Sequence, residues 1–281
     1  MKRIFREQVP FFLGIPALIW QVLFVYIPLL VVLYLSVQPA AFEFLTGYFS
    51  WYYVRVIARS VFLGLVTTAG CLVIGYPVAY WMAICAGRGK NFLLFLLFIP
   101  FWTNFLLHLY AWMFVLDRNG VINTMLLNAG LIAQPLHLLN TMGAVFLVMV
   151  YCYAPFMIFP IYTSLEKFDT RLLEASADLG ASWWQTMWRV VVPSNRSGML
   201  SGIYLVLVPA FGEFVIPELM GGDRIMFAGS VVSYYTMQAH TASWGAIFTM
   251  LVSLVLLVVL GIVLWSIRRA LPVHAQQEQG A

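Results

Sequence analysis

The sequence predicts an all-α polytopic membrane protein with about six membrane-spanning helices, and three observations predict it. Of its 281 residues, 63% are hydrophobic and 9% charged, against about 45 to 50% apolar and about 25% charged in soluble domains. The apolar residues gather into runs of about 18 or more, enough for a helix to cross a hydrocarbon core of about 30 Å. Inside that core only helices or closed barrels satisfy every backbone donor and acceptor. The positive charges are also unevenly placed. With the N-terminus inside, eleven of the fifteen Lys and Arg fall on the cytoplasmic side, leaving only Arg55, Arg59, Arg118 and Arg224 opposite, as expected where basic residues stay inside.

The spans fall at about 11–37, 60–85, 92–116, 141–164, 196–219 and 243–267. The first follows a basic start, as a signal peptide would. Its apolar run is longer than a cleaved h-region, however, and no small-x-small site closes it before Pro39, so it reads as a retained span. The second and third spans flank AGRGKN, with two cations on the inner side. The outer loops WYYVRVIARS, LDRNGVINTMLLNAGLIAQP and MGGDRIMFAGSVVSYYTMQAH mix apolar and polar residues, as short re-entrant or interfacial helices do. Both termini are cytoplasmic in this topology, and the tail HAQQEQGA reads as short, polar and disordered. The net charge of +4 is thereby a topology signal, not the footprint of a nucleic-acid binder. Cys71, Cys85 and Cys152 lie within apolar spans without metal-ligand spacing, so they read as small buried hydrophobes and no metal site is expected.

One stretch departs from this pattern. EASADLGASWWQTMWRVVVP, Glu174 to Pro193, holds three charged groups and three tryptophans between two spans. A helix from about Thr170 places Arg171, Glu174 and Asp178 on one face. Gly180 can take the left-handed conformation that ends a helix. Ser182 and Gln185 then form a capping box for a second helix, with Trp184, Met187, Trp188 and Val191 as its apolar stripe. Pro193 is expected to interrupt this helix before the fifth span. Two like charges four residues apart cost an isolated helix roughly 0.2 to 0.5 kcal/mol, and a basic partner would turn that cost into a gain.

These residues carry a resemblance. Glu174, Ala175, Gly180, Val190, Val192 and Pro193 are similar to the E-A-A, three residues, G, nine residues, I-x-L-P motif of ABC-importer permeases, with Ser176 for the second Ala and Val for Ile and Leu. YAPFMIFPIYTSLEKFDTRLLEASADLGAS and PAFGEFVIPELMGG further resemble permeases for putrescine and spermidine, within a group that includes opine and phosphonate importers. The resemblance implies a type I ABC importer transmembrane domain. Its permease core would cover about 56–265, with a coupling loop at 165–195, after an N-terminal segment 1–55 holding the first span and before a cytoplasmic tail at 266–281. It also implies partners: a second, different permease, two cytosolic ATPase subunits and a periplasmic substrate-binding protein. Glu174, Ala175, Asp178, Gly180 and Pro193 would form the segment that docks on the ATPase.

The chain itself carries no nucleotide site. In a P-loop, G-x-x-x-x-G-K-[ST] supplies backbone N–H groups and a Lys to phosphate, and GRGKN fails it at Ile84 and Asn91. No H-E-x-x-H or G-x-S-x-G motif occurs. The expectation is a transport subunit that is not an enzyme and binds no cofactor, with ATP and Mg held by the partner ATPase, and with no nucleic-acid partner.

Ionisable groups inside a span cost about 2.5 to 3.5 kcal/mol on insertion scales and so mark candidate sites. Glu213 follows Pro209 and Gly212 in the fifth span, and reads either as a structural, hydrogen-bonded carboxyl or as part of the translocation path. In the third span Asn104, His108 and Trp112 recur every four residues, suited equally to helix packing or to a polar path. A dication would take carboxylates and aromatic faces, the latter worth about 0.5 to 2 kcal/mol by cation–π attraction. Trp102, Tyr110, Trp112, Asp117 and Glu213 are the candidates, with Asp117 alternatively a plain interfacial residue. The same machinery carrying another solute is the first alternative. A secondary transporter would show matching broken spans in two halves, which the sequence does not, and would leave the motif unexplained, and a membrane scaffold would be told apart by whether an ATPase subunit copurifies.

Overall fold

The computed structural model describes residues 15–222, 225–238 and 240–270. The basic start, Arg224 and the tail HAQQEQGA lie outside the described residues. Every regular element among those residues is helical. In chain order, α1 is Ile15–Ser36, and α2 is Pro39–Glu43 continued by a π-turn over Phe44–Tyr48. Then come α3, Trp51–Cys85, α4, Lys90–Trp102, α5, Phe105–Leu116, α6, Val121–Asn128, and α7, Met142–Leu165. The short helix α8 is Arg171–Asp178, and α9 runs through Trp183–Thr186, Met187–Val191 and Val192–Ser194. The chain closes with α10, Arg196–Gly212, α11, Val215–Gly221, α12, Ala228–Thr236, and α13, Ala242–Ala270.

Four of these, α1, α3, α7 and α13, are single helices long and apolar enough to cross a membrane. Two further helix pairs pass the same test together, and the count reaches six when each bent pair is one broken span. Lys90–Pro100 and Phe105–Asn128 meet at 85°, and α10 meets α11 at 61°. The count of six agrees with the sequence, while the shapes of the third and fifth differ. The second span also begins earlier, because WYYVRVIARS joins α3 with no Gly or Pro to stop the helix before Gly64. The other two outer loops hold short helices, α6 and α12.

The chain divides into two compact units, one comprising residues up to Val54 with Val231–Leu254, the other Arg55–Ser230 with the residues from Val255 on. The first is organised around Phe44, which is fully buried. The rings of Tyr53, Tyr235, Trp244 and Phe248 surround it at centroid distances of 5.1, 5.7, 5.7 and 6.3 Å. Tyr53 and Tyr235 share a hydrogen bond of 2.6 Å between their hydroxyls, giving buried phenols the polar partner they need.

The second unit is built on α7 and α10. Val145, Val148, Met149, Met157 and Ile161 of α7 are buried, as are Ile203, Val206 and Leu207 of α10. Close approach comes from Gly198 and Gly202, a small-xxx-small pair of the kind that lets helix backbones meet in a membrane. A Cβ at Gly198 would lie 2.6 Å from Ser164 Cβ and 2.8 Å from the Pro160 carbonyl, and one at Gly202 would lie 2.7 Å from Met157 Sδ. On α3, a Cβ at Gly70 would lie 3.0 Å from Phe146 and Val150, and one at Gly75 would lie 3.2 Å from Met157 and Ile158. Pro155 and Pro160 sit inside α7, and the Pro160 carbonyl accepts the Thr163 hydroxyl at 3.0 Å. Lys90 at the start of α4 donates to Glu166 just after α7 at 2.7 Å. That bond holds the Glu166 carboxyl below its ordinary value. Its contribution is therefore present above the usual carboxylate range and is lost as pH falls below it.

Large apolar side chains face outward along the spans, including Leu30, Val73 and Leu257, which suits a hydrocarbon surrounding rather than water. Gly198→Val forces the Pro160 backbone away from α10 and is expected to cost about 1 to 3 kcal/mol by overpacking, whereas Gly261→Val meets nothing within 4 Å and is expected to be neutral. Thermal melting of the purified chain checks this, and equal melting temperatures for the two variants would contradict the packing described.

Candidate functional site

The breaks in the fifth and third spans create the chemistry of the second unit. At the end of α10, Glu213 leaves the helix in an extended conformation, with φ −64° and ψ 133°. The chain re-enters a helix two residues later, so the first N–H groups of α11 lack intrahelical acceptors. Glu213 supplies one. Its Oε1 accepts from the backbone N–H of Phe214 at 3.0 Å, Val215 at 2.9 Å and Ile216 at 3.4 Å. Its Oε2 accepts from the Tyr153 hydroxyl at 2.6 Å. The Glu213 carboxylate thus caps a half-helix and also forms part of a cavity wall.

That cavity has a volume of about 900 Å³. Ile74, Val78 and Trp81 of α3 form one wall and Leu93, Leu96 and Leu97 of α4 another. His108 and Trp112 come from α5, and Tyr151, Cys152, Tyr153 and Phe156 from α7. The α4–α5 break brings polar groups to it. Thr103 is extended, its hydroxyl donates to the Pro100 carbonyl at 2.9 Å, and it lies 3.1 Å from His108 Nε2. Asn104 caps α5 by accepting from the Leu106 N–H at 2.8 Å, so its side chain serves the helix end. Tyr151 meets Trp112 edge-on at 5.4 Å and His108 at 5.9 Å. The arrangement is an aromatic and aliphatic chamber with a single carboxylate, suited to an organic solute of appreciable size.

Of the sequence-predicted pathway residues, the structure brings Trp112 and Glu213 to this chamber. Trp102 is 75% exposed and Tyr110 56% exposed, and neither lines it. Asp117 is exposed at the C-terminal end of α5, with Oδ2 accepting from the Asn119 N–H at 3.3 Å. Tyr151 and Tyr153 escaped the sequence reading. The signal was present in YCYAPF, where two phenols stand in an otherwise apolar span.

The charged stretch forms a second candidate site. Asp169 Oδ1 accepts from the Arg171 N–H at 3.0 Å, starting α8. Glu174, Ala175 and Asp178 are all exposed on it. Gly180 has φ +75°, the Gly180 N–H bonds the Ala177 carbonyl at 2.8 Å and the Ala181 N–H the Ser176 carbonyl at 3.0 Å. This is a Schellman motif. One residue later the capping box closes, with the Ser182 N–H to Gln185 Oε1 at 2.9 Å and the Gln185 N–H to Ser182 Oγ at 3.4 Å. Ser176, the departure from the family pattern, is buried and its Oγ lies 2.9 Å from Thr186 Oγ1, joining α8 to α9. The structure corrects one detail. Pro193 does not interrupt α9, since Val191 and Val192 before it keep helical dihedrals and the helix continues to Ser194. The break falls instead at Asn195, with φ −95° and ψ 14°.

Comparison with known proteins places this geometry. Residues 75–271 match the family model described as binding-protein-dependent transport system inner membrane component. The spermidine/putrescine transport system permease protein PotB of Haemophilus influenzae is 39% identical over 76% of this chain and 78% of its own length. Its Escherichia coli K12 counterpart is 36% identical over 87% and 91%. In fold, a chain of a bacterial alginate ABC transporter, crystallised with an alginate pentasaccharide-bound periplasmic protein, superposes with a TM-score of 0.73 at 17% identity, covering 96% of this chain and 98% of that one. With an all-helical fold, four to six membrane spans and the intact helix–turn–helix of the motif, the chain belongs to the binding-protein-dependent transport system inner membrane component family, as a transport permease rather than an enzyme.

Proposed function

We propose that this chain is one of two different permeases in an ATP-driven importer that carries polyamine cations of the putrescine and spermidine class. The observation that carries the reading is Glu213, a carboxylate on the wall of an aromatic chamber at the break of a span. An ammonium group gains from the carboxylate and from the faces of Trp81, Trp112 and Tyr151. A phosphonate would meet the wrong charge there. The names of the relatives, at 36 and 39% identity, point the same way.

In this reading α8 faces the cytosol and docks on the ATPase. Glu174, Ala175 and Asp178 are free to make that contact, Gly180 sets the angle at which α8 leaves α9, and Pro193 lies in the last turns of α9 before the span. A periplasmic binding protein delivers the solute, and a second permease completes the path. ATP and Mg belong to the two ATPase subunits, and this chain holds no cofactor. Trp102, Tyr110 and Asp117, exposed on the third span and at its end, are assigned to the surface that meets the second permease or the delivered solute.

The first expected outcome is that the purified chain in liposomes shows no ATP-driven uptake, and that uptake of labelled putrescine requires the second permease, the ATPase and the binding protein together. Activity of the chain alone would sink the proposal. For the coupling contact, Glu174→Lys is expected to weaken ATPase association or to uncouple hydrolysis from uptake. Gly180→Val should do the same, because a β-branched residue is strained at φ +75°. Parental rates of both hydrolysis and uptake would reduce α8 to a solvated turn. For the path, Glu213→Gln keeps one carbonyl for the α11 N–H groups and loses the charge. Initial putrescine uptake should fall at least severalfold while the assembly and its basal ATPase activity persist. An unchanged rate would confine Glu213 to capping.

A further inference from the structure

The tryptophan face of α9 has no role in the contact assigned to α8. Trp183, Trp184 and Trp188 are each 61% exposed, and their rings form a ladder with centroids 5.1 and 6.3 Å apart. The other side of the same helix is committed: Met187, Val191 and Val192 are buried in the core. The two short helices therefore present different chemistry. Around α8 the exposed groups include the carboxylates Glu174 and Asp178, and around α9 they include three indoles, Gln185 and Arg189.

The depth of α9 is fixed by its neighbours. Trp183 reaches the Tyr80 side chain of α3. Tyr80 lies five residues inside the end of that span at Cys85, about 7 to 8 Å at 1.5 Å per residue. At its other end α9 passes through Asn195 directly into the α10 span. A helix tied at both ends to membrane-spanning segments, at the level of their last turns, lies where headgroups meet acyl chains. Indoles favour that zone, because their rings are apolar and their N–H remains a donor. An exposed arginine on such a helix suits anionic headgroups.

We propose that α9 is an interfacial helix whose tryptophan face is covered by the lipid bilayer, with Trp184 and Trp188 at the boundary between headgroups and acyl chains and Arg189 toward the phosphates. The occupant is lipid, and the ATPase touches α8 alone. α9 then floats at a fixed depth, and displacement of α8 is transmitted through the Schellman turn at Gly180 and the Ser176–Thr186 hydrogen bond.

The test uses the complete assembly in nanodiscs made with acyl-brominated or unbrominated phospholipid, with the ATPase present and then stripped away. Subtracting the fluorescence of the triple variant Trp183→Phe, Trp184→Phe, Trp188→Phe isolates the three indoles. That difference emission is expected to be quenched about twofold or more by brominated lipid, equally with and without ATPase, as a buried interfacial face requires. No quenching overturns the proposal. Quenching that appears only once the ATPase is removed also overturns it and assigns the face to the ATPase. If the triple variant does not assemble, Trp188→Phe alone supplies the same subtraction. Because the reading is optical and is taken with and without ATPase, it is independent of whether putrescine is the solute.

Discussion

A hydrocarbon surrounding offers no hydrogen bonds, and this constraint governs where the chain can break a helix. Each interruption must carry its own acceptors and donors. The α10–α11 break does so with Glu213, whose carboxylate takes three backbone N–H groups and a phenol. The α4–α5 break does so with Thr103 and Asn104. In both places the side chains that make the break possible stand beside the chamber of the second unit. Under the function proposed, the polar groups that a solute would meet there are the same groups that hold the backbone, which ties the shape of the chamber to its chemistry.

The packing around these breaks follows from the same absence of water. With lipid as apolar as leucine, helices adhere by close fit and not by expulsion of solvent. Gly198 and Gly202 bring α10 against α7, and Gly70 and Gly75 bring α3 against it. The side of α7 carrying Tyr151 and Phe156 is left lining the chamber. Tight seams on one face and an open wall on the other result from glycines on two helices and tyrosines on a third.

How much of this was legible in the sequence depended on range. Features set by a few consecutive residues were readable: the left-handed Gly180, the Ser182 and Gln185 box and the number of spans all follow from local chemistry. The bend at Glu213 was half readable, since Pro209 and Gly212 announced a loosening but not the three N–H groups that the carboxylate would take. Tyr153 was missed because its importance lies 60 residues away in sequence. The early start of α3 was missed because Arg55 and Arg59 were given to a loop, although a helix end projecting from a membrane carries arginines without penalty. The Gly198 and Gly202 pair stands in the sequence as GMLSG, but a small-xxx-small spacing alone does not say which helix packs against it.

The saturation of Glu213 has a kinetic consequence. A bare carboxylate in a dry chamber would be a deep well for an ammonium ion, and a deep well is a trap. Here two oxygens already receive four donors before any solute arrives, so a cation meets a charge largely spoken for. Under the import function proposed, residence time at this point is short, tight selection falls to the soluble receptor upstream, and the chamber acts as a stepping stone whose shallow attraction lets each molecule move on within a single power stroke.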